Sequence, residues 1–444
     1  MKKKTRIYII GSLLLLSTAS CKKFVDVKPT DLTTKAISFE NIANATAAVN
    51  GMYYNLAHSG SIYPNNYYTN LSLLSDELST TNFAAVPFSV NSLTPQMNGI
   101  DGYWSGYYAM INQANIILDN VASVPNLSPV LMKNWIGEAK WLRATAFMNL
   151  VQLYGSMPIV TSSLWQNNEA TPRSPVAQVY ALILQDLKDA AADLPHDYND
   201  PNTDRIRATT GAANFTLTQY YMLQKDWPNA VASATAVIND PMYQLEPNFG
   251  DIFFDNTMES ILEIAYTDLD ISLLSTEFGI RSGRGATPPY SPSQQIKDAF
   301  NNSPGDARFF TSIGGGKVNK YTDVSSRDKL LRLGDLYLLR AEAEAQSNDL
   351  TASLNDLNTI RTRAGVDSST ASDQASLLLA IENERYLELA FEGHRWFDLV
   401  RTGRASAVLG ALKPQTWKPT AVLLPVPQQE ININPALLPQ NPGY

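Results

Sequence analysis

The chain has 444 residues, of which 17% are charged, and a formal net charge of -8. This acidic balance argues against nucleic-acid binding, which requires basic surface patches. A single cysteine rules out an intrachain disulfide. The three histidines, His58, His196 and His394, lack the spacing of paired metal ligands, so we expect neither a metal centre nor a cofactor.

The first 20 residues have the organisation of an export signal. Lys2-Lys3-Lys4 provides a basic start, and the apolar run from Ile7 to Leu16 is too short for a permanent membrane helix. Small residues before the lone Cys21 resemble a bacterial lipobox. Cys21 is therefore the predicted lipidation site, and several acyl chains would anchor it stably in a membrane. The alternative is a conventional secretory peptide with an incidental free thiol.

Apolar residues at three- and four-residue steps predict a series of amphipathic helices along the chain. Two helical hairpins, at 209–239 and 331–364, have close to the spacing of tetratricopeptide repeats. The pattern predicts a mostly α-helical, tetratricopeptide-like scaffold with long loop insertions and a few short strands, in one domain. The predicted helices cover residues 39–56, 107–124, 131–154, 175–194, 209–223, 228–239, 331–346 and 350–364.

Two irregular regions interrupt this pattern. Residues 58–105 are rich in Gly, Pro, Asn, Ser and aromatic residues and predict a long ordered loop. Residues 240–330 predict loop with short strands at 251–254 and 260–266. Long ordered loops of this kind often carry the function of a globular protein.

The sequence favours binding over catalysis. It has no Gly-x-Ser-x-Gly motif for a nucleophile and no paired metal ligands. Aromatic rings can stack on the C–H faces of sugars while Asn and Arg bind hydroxyl groups, and ordered loops present such residues at low entropic cost. We therefore expect ligand contacts from the loops at 63–91 and 274–290. The candidate residues are Tyr67, Asn82, Phe83, Phe88, Phe278, Arg281 and Tyr290.

The stretch from Ile381 to Arg401 interleaves charged and apolar residues. Its charges recur at three-residue steps, which would place opposite charges beside each other on a helix. These pairs are Arg385 with Glu388, Glu392 with Arg395, Arg395 with Asp398, and Asp398 with Arg401. Gly393 predicts a helix end or kink, with a second short helix from Arg395. We predict a structural, partly buried ion-pair ladder that consists of Glu384, Arg385, Glu388, Glu392, Arg395, Asp398 and Arg401.

Residues Glu384 to Arg401 resemble the C-terminal signature of the SusD/RagB family, E-R-x-x-E-L-x-F-E-G-x-R-W-x-D-L-x-R. Further similarity lies at Asn358 to Gly365, which fits N-x-I-R-x-R-A-G, and in the closing Gln440-Asn441-Pro442-Gly443-Tyr444. The family consists of surface lipoproteins that deliver nutrients to TonB-dependent transporters in Bacteroidetes. Its ligand residues vary between members, so none is carried over to this chain.

The resemblance implies a SusD-like domain over residues 21–444, with an N-terminal part at about 21–230 and a C-terminal part at about 240–444. It implies a lipid-anchored outer-membrane protein, facing the exterior, that performs no catalysis. Such a protein would bind a glycan, or alternatively a peptide, and deliver it to a SusC-type TonB-dependent transporter. Two other functions stay open: a helical glycan-degrading enzyme and a protein-interaction scaffold that uses helix grooves. Three glutamates on one helix, each near an Arg, fit a structural ladder better than a catalytic carboxylate pair.

Overall fold

The computed structural model describes residues 35–57, 63, 67–97, 99–198, 204–266, 272–278, 288–321 and 326–444. The predicted export signal, the lipidation site Cys21 and the candidate ligand residue Arg281 lie outside these ranges. Within them, no helix is both long enough and apolar enough to cross a bilayer.

Helices account for most of the N-terminal half, as the apolar periodicity predicted. The longest is stabilised at its start by Ser128, whose side chain accepts a hydrogen bond from the backbone of Leu131, and it ends at Gly155 with a φ of 71°. The helices are α1 (Lys35–Ser38), α2 (Ile42–Ala57), α3 (Tyr68–Leu74), α4 (Val86–Ser89), α5 (Asp101–Asn120), α6 (Pro129–Tyr154), α7 (Trp165–Asn168), α8 (Val176–Asp193), α9 (Thr210–Gln224) and α10 (Trp227–Ile238).

The C-terminal half continues the helical pattern. Asp373 and Ser376 form a reciprocal capping box at the start of one helix. The predicted helix break at Gly393 is confirmed, because this residue has a φ of 78° between two helices. The helices here are α11 (Leu274–Glu277), α12 (Gln294–Asn301), α13 (Arg308–Ser312), α14 (Leu333–Gln346), α15 (Leu350–Arg363), α16 (Gln374–Glu388), α17 (Arg395–Arg401), α18 (Ala405–Leu412) and α19 (Gln428–Ile433).

The long helices pack in one continuous series. α5 packs on α6, α6 on α8, α8 on α9, α9 on α10, and α10 on α14, which then contacts both α15 and α16. Small buried residues such as Ala230 and Ala234 on α10 allow neighbouring helices to approach closely. This arrangement of antiparallel helix pairs confirms the predicted tetratricopeptide-like scaffold.

The strands in the described part of the chain form three two-stranded antiparallel pairs. The prediction of a strand at 251–254 is wrong. Residues Phe249–Phe253 form a 3₁₀ helix instead, because the apolar side chains that turn inward, Phe249 and Ile252, are three residues apart rather than two. The strand predicted at 260–266 is confirmed as β2. The pairs are β1 (Leu78–Thr80) with β3 (Tyr290–Pro292), β2 (Ser260–Ile264) with β6 (Asp328–Arg332), and β4 (Ile313–Gly314) with β5 (Lys317–Val318).

The region 58–105 is more regular than predicted. Where the structure describes it, it contains α3, β1, α4 and the start of α5. These elements are only three to seven residues long up to Ser89, too short for a periodic pattern to identify.

Candidate functional site

The β1–β3 pair brings together the two loop regions that we expected to contact a ligand. Thr80 lies opposite Tyr290 in the strand register. Beyond the register, the backbone of Thr81 donates to the carbonyl oxygen of Pro289 at 3.0 Å, and the Thr80 hydroxyl donates to the same oxygen at 3.0 Å. Segments that are about 200 residues apart in the chain therefore share one short sheet.

A hydrogen-bonded turn, residues 80–85, follows β1 and is called the Phe83 turn below. The backbone of Asn82 donates to the Thr80 hydroxyl at 3.0 Å, and the Asn82 side-chain oxygen accepts from the backbone of Ala84 at 3.1 Å. The ring of Phe83 is 92% exposed at the tip. An exposed Phe forgoes roughly 1.5–3 kcal/mol of burial, and its ring is open to contact with another molecule.

Tyr290 and Glu277 lie close to the Phe83 turn. Burial raises the pKa of Tyr290, and the carboxylate of Glu277 raises it further, whereas a hydrogen bond with the Asn82 side chain opposes the rise. Burial also raises the pKa of Glu277. The Phe83 turn therefore presents an exposed aromatic ring and a side-chain amide on a rigidly supported backbone. These groups suit the stacking and hydrogen bonding of a polar ring ligand.

The other candidate ligand residues are located differently from our expectation. Tyr67, Phe88, Phe278 and Tyr290 are buried, so the expectation that their ring faces are open to a ligand is corrected. Tyr67 packs against the rings of Tyr63, Tyr68 and Phe397, and Phe278 stacks on Tyr321. Of the candidates in the described ranges, only Asn82 and Phe83 are exposed.

The charged residues of the C-terminal stretch form a buried network with distant partners. Oε1 of Glu388 accepts from Arg332 at 2.6 Å and from Arg363, while Oε2 accepts from Arg308 at 3.2 Å. Burial alone would raise the pKa of Glu388, but the three arginines outweigh it and hold the pKa well below its usual range. Glu384 also pairs with Arg308, at 2.6 Å.

A second part of the network surrounds Asp398. This carboxylate accepts from Arg385 at 2.8 Å and from Arg401 at 2.7 Å. Arg385 also donates to Asp335 at 2.6 Å, and Arg401 makes two bonds of 2.6 Å to Glu342. The network therefore connects α16 and α17 to α14.

The expected pairing at three-residue steps is correct for Asp398 with Arg401 only. Glu388 pairs with the three arginines above rather than with Arg385, because the helix α16 ends there and its carboxylate points into the junction with β6 and α15. Glu392 pairs with Arg332 and Lys320. Arg395 lies 3.5 Å from Glu382 and stacks over the ring of Tyr386.

Our sequence reasoning missed the partners of this network. Arg308, Arg332, Arg363 and Lys320 come from other elements. Two of them lie in or beside apolar runs: Arg332 within Leu330-Leu331-Arg332-Leu333, and Arg308 before Phe309-Phe310. A single charge inside such a run is a signal of a buried ion pair.

Since Glu384 and Glu388 are buried and paired, they do not line an open cleft. Within the described ranges, no group of three or more His, Cys, Asp or Glu residues could hold a metal ion.

Comparison with protein-family models gives two matches. Residues 286–444 match the model described as "SusD family", and residues 23–222 match a model described as "Starch-binding associating with outer membrane". Among curated relatives, SusD-like protein P25 of Formosa agariphila is 24% identical over 98% of this chain and 99% of its own length. A SusD-like protein of Bacteroides ovatus is 23% identical over 89% of this chain and 82% of its own length.

Solved structures have the same fold. A laminarin-binding SusD-like protein superposes with a TM-score of 0.80 at 24% identity, covering 91% of this chain and 100% of the other. A SusD homolog from Bacteroides thetaiotaomicron also has a TM-score of 0.80, at 20% identity, covering 92% of this chain and 98% of the other.

Proposed function

The chain belongs to the SusD/RagB family, and we propose that it is a nutrient-binding lipoprotein of the outer membrane whose ligand is a glycan. It holds the glycan at the Phe83 turn and delivers it to a SusC-type TonB-dependent transporter. Cys21 carries the lipid anchor, and the protein faces the cell exterior. It performs no chemistry on its ligand.

The single observation that carries this proposal is the rigid display of Phe83. Its ring is 92% exposed on a turn that the Asn82 side chain closes, and β3, which is distant in the sequence, pairs with the strand before that turn. A fixed aromatic face loses little conformational entropy when a sugar ring stacks on it. The names of similar proteins support the choice of ligand class, because one structure is described as laminarin-binding and one family model as starch-binding.

Binding to purified polysaccharides tests the proposal. Native gel electrophoresis in gels that contain laminarin or soluble starch should retard the mature protein, and calorimetry with the corresponding hexasaccharides should give saturable binding. Release of reducing ends should stay at the level of a blank. Binding of peptides with no response to any glycan would favour the peptide alternative, and turnover of the oligosaccharides would favour an enzyme.

The anchor and the transporter need separate tests. Metabolic labelling with an alkyne fatty acid should label the wild-type protein and not the Cys21→Ala variant. Solubilised membranes should yield a complex with a TonB-dependent barrel when the lipoprotein is purified by a C-terminal tag. A protein that is labelled but purifies alone would contradict the delivery role.

A further inference from the structure

A concave site lies apart from the Phe83 turn. It is a cleft of about 670 Å³ between α2, the first turns of α6, the segment 204–209 and the end of β2. Its volume falls inside the roughly 300–1,000 Å³ range of small-ligand sites. Among the described residues that line it, none belongs to the Phe83 turn, β1 or β3. We call it the Tyr53 cleft.

The aromatic walls of the Tyr53 cleft are held rigidly. The Tyr53 hydroxyl accepts a hydrogen bond from the backbone of Ala208 at 3.1 Å. The Tyr198 hydroxyl donates to the carbonyl oxygen of Ile261 at 2.7 Å, and the Tyr266 hydroxyl donates to Asp328. The protein itself binds these hydroxyl groups, and Arg207 and Arg205 lie over one face of Tyr53 and of Tyr198, respectively. The parts of the rings that remain for a ligand are therefore their edges and their other faces.

The polar groups of the Tyr53 cleft are fixed as well. Arg207 donates to Oε1 of the buried Glu138 carboxylate at 2.7 Å and lies at ion-pair distance, 2.7 Å, from its Oε2, and it also donates to the Asn50 side chain. Its guanidinium lies over the Tyr53 ring, 4.9 Å from the centroid. The Arg207 side chain keeps 31% of its surface exposed, so it faces the cleft while it is held by its partners. Glu138, Asn50 and the Tyr53 ring together fix the orientation of this guanidinium.

Charge decides what the Tyr53 cleft can accept. Arg207 is neutralised by Glu138, and Asp204 is paired with Arg327 at 2.9 Å. Asp197 lies at the mouth beside His196, with most of its carboxylate exposed. The two carboxylates at the rim disfavour an anionic ligand. Each of them already has a basic neighbour, so neither requires a cationic ligand to balance its charge. Apolar ring faces bordered by carboxylate and amide oxygens fit a neutral molecule with hydroxyl groups around an apolar ring face.

We propose that the Tyr53 cleft is a second binding site, for a short neutral oligosaccharide, that works independently of the Phe83 turn. It goes beyond the proposed function, because that function requires only one site. Two separate sites on one protein would let a polymer attach at one while a chain end occupies the other, which raises the effective concentration at the second contact.

Tyr54 gives the sharpest test, because it lines the cleft and 47% of its surface is exposed. Hydroxyl-radical footprinting should show that laminarihexaose or maltohexaose protects Tyr54 from oxidation. Trp165, which is 67% exposed elsewhere and does not line the cleft, is the internal control and should stay unprotected. Protection should persist in the Phe83→Ala variant, because the two sites share no residue.

Calorimetry on matched variants then separates the two sites. In the Phe83→Ala background, Tyr54→Ala should weaken the remaining affinity about five-fold, the loss expected for one aromatic contact, and Tyr54→Trp should restore it. Ala265→Trp, which fills the cleft, should abolish that affinity. If the Phe83→Ala variant binds no sugar, and if Tyr54 is oxidised equally with and without sugar, the second site is overturned and the first is left intact. Absence of binding by the wild type to both hexasaccharides at millimolar concentration overturns both sites.

Discussion

Nη1 of Arg332 lies 2.6 Å from Oε1 of Glu388, although 56 residues separate them in the chain. The same oxygen accepts a bond from Arg363, and the other oxygen accepts one from Arg308. One buried carboxylate thus connects β6, α13, α15 and α16. The removal of one member of such a group leaves the remaining charges buried without their partner.

Replacement of Glu388 by Gln should therefore destabilise the fold by about 3–5 kcal/mol, the range for breaking a buried ion pair. Urea unfolding at neutral pH measures the change. Asp189→Asn is the control, since Asp189 and its partner Lys140 are both partly exposed and the change should cost less than about 1 kcal/mol. Equal stability of the two variants would show that the buried network contributes no more than surface pairs.

The same network predicts sensitivity to acid. Burial alone would raise the pKa of Glu392, but Arg332 and Lys320 lower it to about 2, and the pKa values of Glu388 and Asp398 are held lower still. Because these values lie below those of the unfolded chain, the contribution is complete above pH ~4.5 and is lost as the pH falls toward ~2. Unfolding free energies measured from pH 6 to pH 2 should fall steeply. In Glu392→Gln the slope should be shallower, and an unchanged slope would contradict the assignment.

The buried carboxyl of Glu77 should have the opposite effect, a loss of stability as the pH rises from about 4.5 through 7. Burial raises its pKa to about 7, although its side chain accepts bonds from the backbone of Phe391 and from the Ser75 hydroxyl. A carboxyl with a raised folded pKa stabilises fully below its unfolded value near pH 4.5, and the contribution is lost as the pH rises through 7. Compared with Glu77→Gln, the wild type should lose on the order of 2–3 kcal/mol between pH 5 and pH 8. Parallel stability curves for the two proteins would refute this.

Gly393 should tolerate no side chain. It has a φ of 78°, and a Cβ atom there would lie 2.8 Å from the Tyr67 ring. Gly393→Ala should cost about 2–4 kcal/mol in unfolding free energy, from backbone strain and displacement of that ring. Gly403→Ala separates the two causes, because its φ is 70° but nothing lies within 4 Å of its Cβ position, so only about 1 kcal/mol of strain is expected. A similar loss at both positions would mean that the contact with Tyr67 is unimportant.

Phe83→Ala should weaken glycan binding at the Phe83 turn about ten-fold, because it removes the exposed ring while the turn is kept by Asn82 and Thr80. Calorimetry with laminarihexaose and maltohexaose measures the loss, and thermal unfolding should be unchanged. Phe310→Ala is the matched control, since Phe310 is 75% exposed outside the Phe83 turn. If both substitutions leave the affinity as in the wild type, the Phe83 turn is not the ligand site.

The long helices could be predicted because their apolar residues repeat over three or more turns, as in α6 and α8. The strands β1 and β3 could not, since each has three residues and their pairing depends on how the whole scaffold brings them together. The same holds for the Tyr53 cleft, where Tyr53, Arg207 and Tyr266 come from three separate segments. The sequence also could not predict which aromatic side chains are exposed. Phe83 and Phe88 lie five residues apart, yet Phe83 is exposed and Phe88 is buried.

The pairing of Thr80 with Tyr290 has a practical consequence for protein dissection. The match to one family model ends at residue 222, and the match to the other begins at residue 286. These bounds invite expression of two fragments cut between them. Any such cut places β1 in one fragment and β3 in the other, and it also separates Asp76 from its hydrogen-bond donor Ser293. The first fragment would then carry Phe83 on a frayed sheet edge. Ligand studies therefore require the intact polypeptide.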